Sequence, residues 1–533
     1  MISCFSKKTI SSFLLSTVFL TASFSLIHNI PEWQINGKWI GTIATVAING
    51  IVLSILCLFK RKPQYSTMIW VCPFCLVAVN LAVIVYCLLQ FSRLVNNYTL
   101  FRAVADFDNP AGVAALICVT FPFILIISEN KVRPLIVAAL FVIDTSLLFA
   151  IQSRVGMTTM TASAIILMSL QCKEKRIKPG VLVLFLLLIV TAMGGILFLF
   201  HHKIASTNGR MVIYNTCMRM VAEHPLIGFG FGGFRREYMN WQAEYLKTID
   251  DIDILMLSDN VTHPLSEYLL VVVNYGLTGL SVIIGTICFA IVHACRQKGR
   301  HKAFLLMEIC SLCTLSLFSY PFRYPMTTVV MAYLIIPWLF HFLKKSISLF
   351  YRKIAPLIVM VISIGAIMFI LPLYKANVQW KSITDRLNDD ARSAIVLMYD
   401  VLPSTDKMLS NNPRYLYTKA VVNYYADDCC QALIDAEKSS SKLSSYDTEL
   451  LLGSIYQKMG LDLAAESHYK EASYMCPSRI TPLYKLFRLY EALGDTTDMV
   501  KTGHELLNKP VKKASHDTRA MRLDVRRKLF NYL

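Results

Sequence analysis

Charged residues are scarce in this chain, and their scarcity excludes an ordinary soluble protein. Only 17% of the residues are Asp, Glu, Lys or Arg, whereas 55% are hydrophobic. Average soluble domains carry about 25% charged residues. Apolar runs of roughly 15–25 residues, about the length that crosses a bilayer, recur along the chain. They predict an all-α, polytopic membrane protein of about eleven spans, near 9–27, 39–59, 68–91, 111–128, 134–151, 157–171, 181–200, 264–292, 303–319, 326–343 and 355–373.

Acidic residues are nearly absent from alternate loops, and this absence sets the predicted orientation. These loops hold many lysines and arginines but only two acids, Glu129 and Glu174. Because cytoplasmic loops carry an excess of Lys and Arg, the N-terminus is predicted inside, and both 201–262 and the tail from 374 are predicted outside. The net charge of +18 is then a topology signal, and nucleic acid is not a predicted partner. The first segment lacks a small-residue cleavage site and is predicted to be a retained helix.

The cysteines do not predict a metal site. Most of them lie in or beside the apolar runs, including the pairs in "CPFC" (72–75) and "CSLC" (310–313). Zinc there would need two thiolates in hydrocarbon, whereas a thiol packs readily as a small apolar group. No metal is therefore predicted.

The glycine-rich stretch "HPLIGFGFGGF" (224–234) lacks the strand-then-helix context of a nucleotide-binding loop. Glycine allows positive φ and close backbone approach, so the stretch predicts a tight bend over the membrane part. Its phenylalanines at 229, 231 and 234 are expected to dip into the outer interface. Contact between its backbone N–H groups and a diphosphate is the second interpretation. His224 is expected to help end a helix before Pro225.

The polar tail, 374–533, is predicted to be helical and repetitive. Residues 446–479 resemble a tetratricopeptide repeat, with small residues at Gly453, Ala465 and Ala472 that let two helices approach closely. A second copy is expected at 480–513 and a degenerate third around 412–445. Such repeats bind proteins on a concave face, and a rigid cap on the membrane domain is the alternative. The predicted domains are 1–373, with 201–262 as its outer loop, and 374–533, each with its own core.

Several short motifs on the predicted outer side occur in a characteristic order. Asn109-Pro110 precedes a span, and Ser153-Arg154 lies at a very tight turn. The long loop then carries Arg210 and the stretch Pro225–Gly230. Its end carries Glu267-Tyr268-Leu269 and "GLTGL" (276–280). Together these resemble the O-antigen ligase and polymerase superfamily over roughly residues 1–373. The family's His-Asn pair falls on Leu265 and Ser266 here, and His263 stands two residues earlier.

The resemblance implies a glycan transferase of the bacterial cytoplasmic (inner) membrane, with its site and C-terminal domain in the periplasm. A glycan would pass from a polyprenyl diphosphate to an acceptor hydroxyl on lipid A core or a protein, as in lipopolysaccharide biosynthesis, without metal or cofactor. Arg154 and Arg210 would hold the diphosphate, since arginine grips two phosphate oxygens. His263 would act as the base. Substrate contacts are expected from Asn109, Arg219, Gly228, Gly230 and Glu267.

Each candidate also has a structural interpretation. Arg154 could reach lipid phosphate, and Arg210 could be a solvated surface residue. Glu267 could serve the dipole of its helix, and Asp144, inside the fifth span, could form a structural pair. A ligase is the leading function and a repeat-unit polymerase the first rival, because the acids before His263 would repel a second diphosphate. A non-enzymatic scaffold that recruits proteins through the repeats is the second.

Overall fold

The computed structural model describes residues 34–59, 65–95, 103–105, 107, 109–127, 134–173, 179–202, 204–325, 327–328, 331, 349–512 and 515–530. Every regular element within these residues is helical, so the all-α prediction is confirmed. The α-helices are Gln34–Phe59, Tyr65–Phe91, Pro110–Thr120, Ile124–Ile127, Pro134–Ala150, Arg154–Lys173, Pro179–His202, Ile204–Glu223, Gly233–Leu246, Ile252–Leu257, Glu267–Arg296, Gly299–Phe318, Leu349–Asp389, Ala391–Leu409, Pro413–Tyr425, Cys429–Ser440, Tyr446–Lys458, Asp462–Met475, Thr481–Leu493, Thr496–Asn508 and His516–Leu529.

The predicted count of eleven spans is not confirmed. Within the described residues, three helices are long and apolar enough to cross a membrane: Glu267–Arg296, Gly299–Phe318 and Leu357–Asp389. Six further apolar helical stretches of 10–17 residues occur there, and several of them lie within longer helices, among them Gln34–Phe59, Tyr65–Phe91 and Pro179–His202. The predicted span 9–27 and most of 326–343 lie outside the described residues.

The described residues belong to two compact units. The first unit comprises Met1–His202 and Ile283–Tyr374, and the second comprises Lys203–Val282 and Lys375–Leu533. The predicted outer loop therefore groups with the tail and not with the other apolar helices.

In the first unit, the helix Arg154–Lys173 packs on several neighbours, among them Pro110–Thr120 and Gly299–Phe318. Gly156 permits one of these contacts, because a Cβ there would lie 2.9 Å from the Ala114 Cβ. The first turns of two helices thus lie side by side.

In the second unit, the loop and the tail share one hydrophobic core. Phe234 and Tyr238, from the loop, are fully buried in one cluster with Met475 and Cys476, from the tail. The buried Gln242 side chain joins both parts, because its Nε2 donates to the Asp259 carbonyl at 3.0 Å and to the Met475 carbonyl at 2.8 Å. The prediction of separate cores is therefore wrong, since side chains distant in sequence fill one interior.

Three helical hairpins in the tail coincide with the three predicted repeats. The hairpin Tyr446–Lys458 and Asp462–Met475 has the expected close approach, since a Cβ on Gly453 would lie 2.5 Å from the Tyr469 ring. Ala465 and Ala472 are fully buried between the helices. The assignment of these hairpins to the tetratricopeptide class stays a prediction.

Candidate functional site

The glycine-rich stretch forms a bend that packs on a broken helix. The break is at Gly276 within Glu267–Arg296, where φ is 62° and ψ is −161°. In the bend, Gly228, Gly230 and Gly232 have φ of 63°, 80° and 73°. Glycine adopts such positive φ values without the cost that a Cβ imposes. The predicted tight bend is confirmed.

Backbone groups of the bend satisfy carbonyls that the break would leave unpaired. The Phe229 N–H donates to the Val273 carbonyl at 2.9 Å, and the Gly230 N–H donates to the Asn274 carbonyl at 2.8 Å. Buried carbonyls without partners are costly, so these bonds stabilise the break.

The exchange is reciprocal. The Leu277 N–H donates to the Pro225 carbonyl at 2.8 Å, and the Thr278 N–H donates to the Leu226 carbonyl at 3.2 Å. In an unbroken helix, these two N–H groups would donate to the carbonyls four residues earlier, which the bend now occupies. Four hydrogen bonds to the bend therefore replace two helical ones.

The two glycines predicted to bind substrate use their N–H groups inside the protein. The Gly228 N–H donates to the His224 carbonyl at 3.1 Å, and that of Gly230 is bonded to Asn274. A Cβ on Gly228 would lie 2.6 Å from the Tyr275 nitrogen. Packing against the helix thus accounts for Gly228, and contact of the two glycines with substrate stays a prediction.

The phenylalanines of the bend have different environments. Phe231 is 89% exposed, whereas Phe234 is fully buried in the core of the second unit. Phe229 contacts the His224 ring, with centroids 4.7 Å apart, and the Trp241 ring. Phe231 alone of the three fits the predicted contact with a membrane interface. His224 directly follows the last residue of the helix Ile204–Glu223, as expected.

His263 is buried at the start of the broken helix. Its Nδ1 accepts the Leu265 N–H at 3.1 Å, and its Nε2 lies 3.9 Å from Glu267 Oε2. A neutral imidazole has one N–H donor and one acceptor nitrogen, so this network assigns the proton to Nε2. The structure thus brings together two predicted site residues, and it turns the protonated nitrogen of His263 towards Glu267.

Leu265, on which the resemblance places the family's histidine, has φ of 57°. This left-handed conformation is uncommon for a residue with a Cβ. It turns the Leu265 N–H back onto His263, and Ser266 then begins the helix, with its carbonyl accepting the Leu270 N–H at 3.1 Å. A local turn at Leu265 therefore holds the His263 ring.

Arg210 and Arg219 lie on the helix Ile204–Glu223. Arg210 is half-buried near the start of the helix. Arg219 is exposed, and its guanidinium lies 4.6 Å from the centroid of the Tyr245 ring. Stacking on Tyr245 gives Arg219 a structural contact.

Asn109 caps the helix Pro110–Thr120. Its Oδ1 accepts the Ala111 N–H at 2.8 Å and the Tyr324 hydroxyl at 3.2 Å, and its Nδ2 donates to the Tyr320 hydroxyl at 2.5 Å. These bonds use both ends of the amide. Asn109 therefore holds a neighbouring loop in place.

The loop that Asn109 holds contains residues that the sequence-based prediction did not select. It is the stretch "SYPFRYP" (319–325), which makes a short 3-10 turn over Pro321–Arg323. The Arg323 guanidinium lies 5.5 Å from the centroid of the Tyr320 ring. The sequence did carry a signal for this loop, because an apolar run ends there in two prolines, two tyrosines and an arginine.

The structure confirms the predicted tight turn, and Arg154 begins its helix directly after it. Three residues separate Arg154 from the end of the helix Pro134–Ala150. Ser153 caps the helix, because its Oγ accepts the Gly156 N–H at 3.3 Å. Arg154 is half-buried there. The positive end of the helix dipole and the guanidinium both favour an anion at this position.

Two buried acids lie among the described residues of the first unit. Asp144 Oδ2 accepts from Asn80 Nδ2 at 3.4 Å, so Asp144 has the structural partner that was one of its two interpretations. Glu308, which the sequence-based prediction did not select, is 1% exposed, and neither of its carboxylate oxygens has a hydrogen-bond partner within the described residues. No group of three or more His, Cys, Asp or Glu in that part of the chain could hold a metal ion.

Asp259, one of the acids before His263, is paired with the tail. Its carboxylate accepts from Arg479 Nη2 at 3.0 Å and lies 3.6 Å from Lys512 Nζ. Burial alone would raise the pKa of Asp259, but the Arg479 hydrogen bond, the Asn260 N–H and the two cations lower it overall. Its negative charge is therefore largely compensated within the second unit.

The predicted site residues are divided between the units. Asn109 and Arg154 belong to the first unit, whereas Arg210, Arg219, His263, Glu267 and the two glycines belong to the second.

One comparison matches a segment that contains most of these residues. The O-antigen ligase family model matches residues 138–284. The segment includes Arg154, Arg210, the bend, His263 and Glu267, and it excludes Asn109 and the tail. No curated protein matches the chain. The match supports similarity to the O-antigen ligase superfamily, whose members are membrane glycosyltransferase-like enzymes, and it supports glycan transfer in general.

Proposed function

We propose that the chain is a ligase-like glycosyltransferase, which moves a glycan from a polyprenyl diphosphate to an acceptor hydroxyl on lipid A core or a protein. The reaction would take place at the outer face of the bacterial cytoplasmic membrane, with the C-terminal domain in the periplasm. The observation that carries the proposal is the buried pair of His263 and Glu267 inside the segment matched by the O-antigen ligase family.

The pair supports a specific route for the proton. Because His263 Nδ1 is occupied by the Leu265 N–H, its Nε2–H can donate but cannot take up a proton. The Glu267 carboxylate is then the base, and the His263 Nε2–H faces it at 3.9 Å. This proposal modifies the predicted role of His263, which becomes a positioning residue for Glu267.

The transfer step balances with these residues. The acceptor hydroxyl loses its proton to Glu267, and its oxygen forms a bond to the anomeric carbon. The bond between that carbon and the diphosphate oxygen breaks, and the diphosphate leaves with the electron pair. Arg154 and Arg210 would stabilise the charge that grows on the leaving group.

A polymerase is the second candidate function. It is supported by the ion pairs that compensate the negative charge of Asp259. The predicted repulsion of a second diphosphate near His263 is weaker once Arg479 and Lys512 neutralise this acid. The product of the reaction separates the two functions.

The test is transfer by the purified protein in nanodiscs with a polyprenyl-diphosphate-linked glycan and separate acceptors. Arg154→Ala and Arg210→Ala should each lower transfer at least about 100-fold. Arg93→Ala, which changes an exposed arginine of the first unit, should leave it unchanged. Transfer to lipid A core or protein supports a ligase, and joining of two lipid-linked units supports a polymerase. Full activity in both arginine variants would overturn the assigned diphosphate contacts.

A further inference from the structure

The loop 319–325 is held rigidly at the end of the helix Gly299–Phe318. Asn109 bonds the hydroxyls of Tyr320 and Tyr324, as described above, and the two tyrosine rings stack with centroids 5.9 Å apart. The Trp39 Nε1–H donates to the Arg323 carbonyl at 3.2 Å. The Arg323 N–H donates to the Tyr320 carbonyl at 3.1 Å. The backbone that carries Arg323 is therefore fixed from several sides.

An aromatic face orients the Arg323 guanidinium. It stacks on Tyr320, and no ion pair to it occurs anywhere in the part of the chain that the structure describes. Beside Tyr320, the Ser319 hydroxyl is buried without a hydrogen-bond partner among those residues. A guanidinium stacked on a ring keeps its N–H donors in one plane, which suits two oxygens of one phosphate.

Contacts within the first unit connect this loop to Arg154. Gly156, two residues after Arg154 in the same helix, packs against Ala114. Ala114 lies about one turn after Asn109, and Asn109 is bonded to the Tyr320 hydroxyl. Arg154 and Arg323 therefore lie at the same end of the first unit, at the starts of two adjacent helices and the loop bonded to them.

We propose that Arg323, presented by Tyr320 and the Asn109-bonded loop, is a binding residue for the diphosphate of the lipid donor. The inference rests on the proposed function and adds a second cation in the first unit for the same leaving group. A diphosphate carries more charge than one guanidinium compensates, so two cations at one end of a unit suit it better than one. Asn109 then acts as a positioning residue.

The test is equilibrium binding of polyprenyl diphosphate to the full chain in nanodiscs. Arg323→Ala should weaken binding about tenfold or more, Arg323→Lys should restore only part of it, and the control Arg93→Ala should bind like the wild type. Tyr320→Phe, which keeps the aromatic face, should bind more tightly than Tyr320→Leu. Wild-type binding by Arg323→Ala would overturn the inference.

A second measurement distinguishes the donor from membrane lipid, since both carry phosphate. If the ligand is the donor diphosphate, Arg323→Ala should lose the same affinity for polyprenyl diphosphate in nanodiscs with and without phosphatidylglycerol. A loss confined to retention of phosphatidylglycerol would make Arg323 a lipid contact and would overturn the inference. If the wild-type protein binds no polyprenyl diphosphate at all, the proposed function fails, and that result differs from unchanged binding in Arg323→Ala.

Discussion

The Leu265 N–H decides which nitrogen of His263 is available for chemistry. It occupies Nδ1, so the proton of the neutral ring lies on Nε2, beside Glu267. The order of the two residues in the proposed proton route rests on this one backbone hydrogen bond. The sequence alone could not supply this, because it depends on the left-handed conformation of Leu265.

Substitution of each residue of the pair should reveal the base. Glu267→Gln removes the proton acceptor and should lower transfer about 100-fold or more, whereas His263→Ala removes only an orienting donor and should cost about tenfold. Single-turnover transfer rates measure which variant loses more activity. Glu223→Gln, which changes an exposed residue, is the control. A larger loss in His263→Ala than in Glu267→Gln would assign the base to His263.

Glu308 should tolerate loss of its ionisable group. Its carboxylate is buried and makes no hydrogen bond within the described residues, so Glu308→Gln keeps its shape and removes the cost of burying an ionisable group. We expect the thermal midpoint in detergent to stay unchanged or to rise. Glu244→Gln, at an exposed position, is the control, and a fall of several degrees in Glu308→Gln alone would contradict the expectation.

At the scale of elements, the bend and the broken helix form one hydrogen-bonded substructure. Sequence reasoning anticipated the bend from its glycines and anticipated the tight turn before Arg154, since both depend on local backbone preferences. It did not anticipate the exchange of hydrogen bonds between 225–230 and 273–278. Backbone pairing between distant segments has no side-chain pattern, and Gly276 was assigned only to a family motif.

Two glycine substitutions should separate packing from backbone strain. Gly276→Ala would place a Cβ 2.2 Å from the Leu226 carbonyl and should destabilise the protein by about 3 kcal/mol or more. Gly230→Ala meets no atom within 4 Å and should cost only about 1 kcal/mol for its positive φ. Unfolding in denaturant measures both, and equal losses would show that the bend does not close on the helix as described.

At the scale of the whole molecule, the grouping of the loop with the tail differs most from the sequence-based prediction. Hydropathy separates apolar helices from the polar tail, and the small residues at 453, 465 and 472 indicate close helix pairs. Neither pattern indicates that Tyr238 packs with Met475, because the two are buried together only after folding.

Removal of the tail should therefore unfold the loop. A chain cut after Tyr374 loses the partners of Phe234 and Tyr238 in their shared core. We expect rapid proteolysis within 204–262 and loss of transfer. A chain cut after Pro510 keeps this core and serves as the control. Protease resistance of the loop in the shorter chain would show that it folds without the tail.

The contact between Asp259 and Arg479 should make the stability of the second unit depend on acidic pH. The pKa of Asp259 is lowered in the folded protein, so its stabilisation is complete above the unfolded value of about 3.9 and is lost as pH falls through the folded pKa. The pair is half-exposed, so the effect should stay below about 1 kcal/mol. Thermal midpoints between pH 3 and 6 measure it, and Asp259→Asn should show a smaller slope. Equal dependence of the thermal midpoint on pH in the wild type and in Asp259→Asn would contradict a stabilising role for this contact.

The exchange between the bend and the broken helix constrains natural variation in chain length. Its four hydrogen bonds use backbone groups, so many side chains along 225–230 and 273–278 can change without breaking them. An insertion or deletion inside either stretch would shift every donor away from its acceptor. Related chains with the same exchange of backbone hydrogen bonds should therefore conserve the number of residues in both stretches more strictly than the identity of those residues.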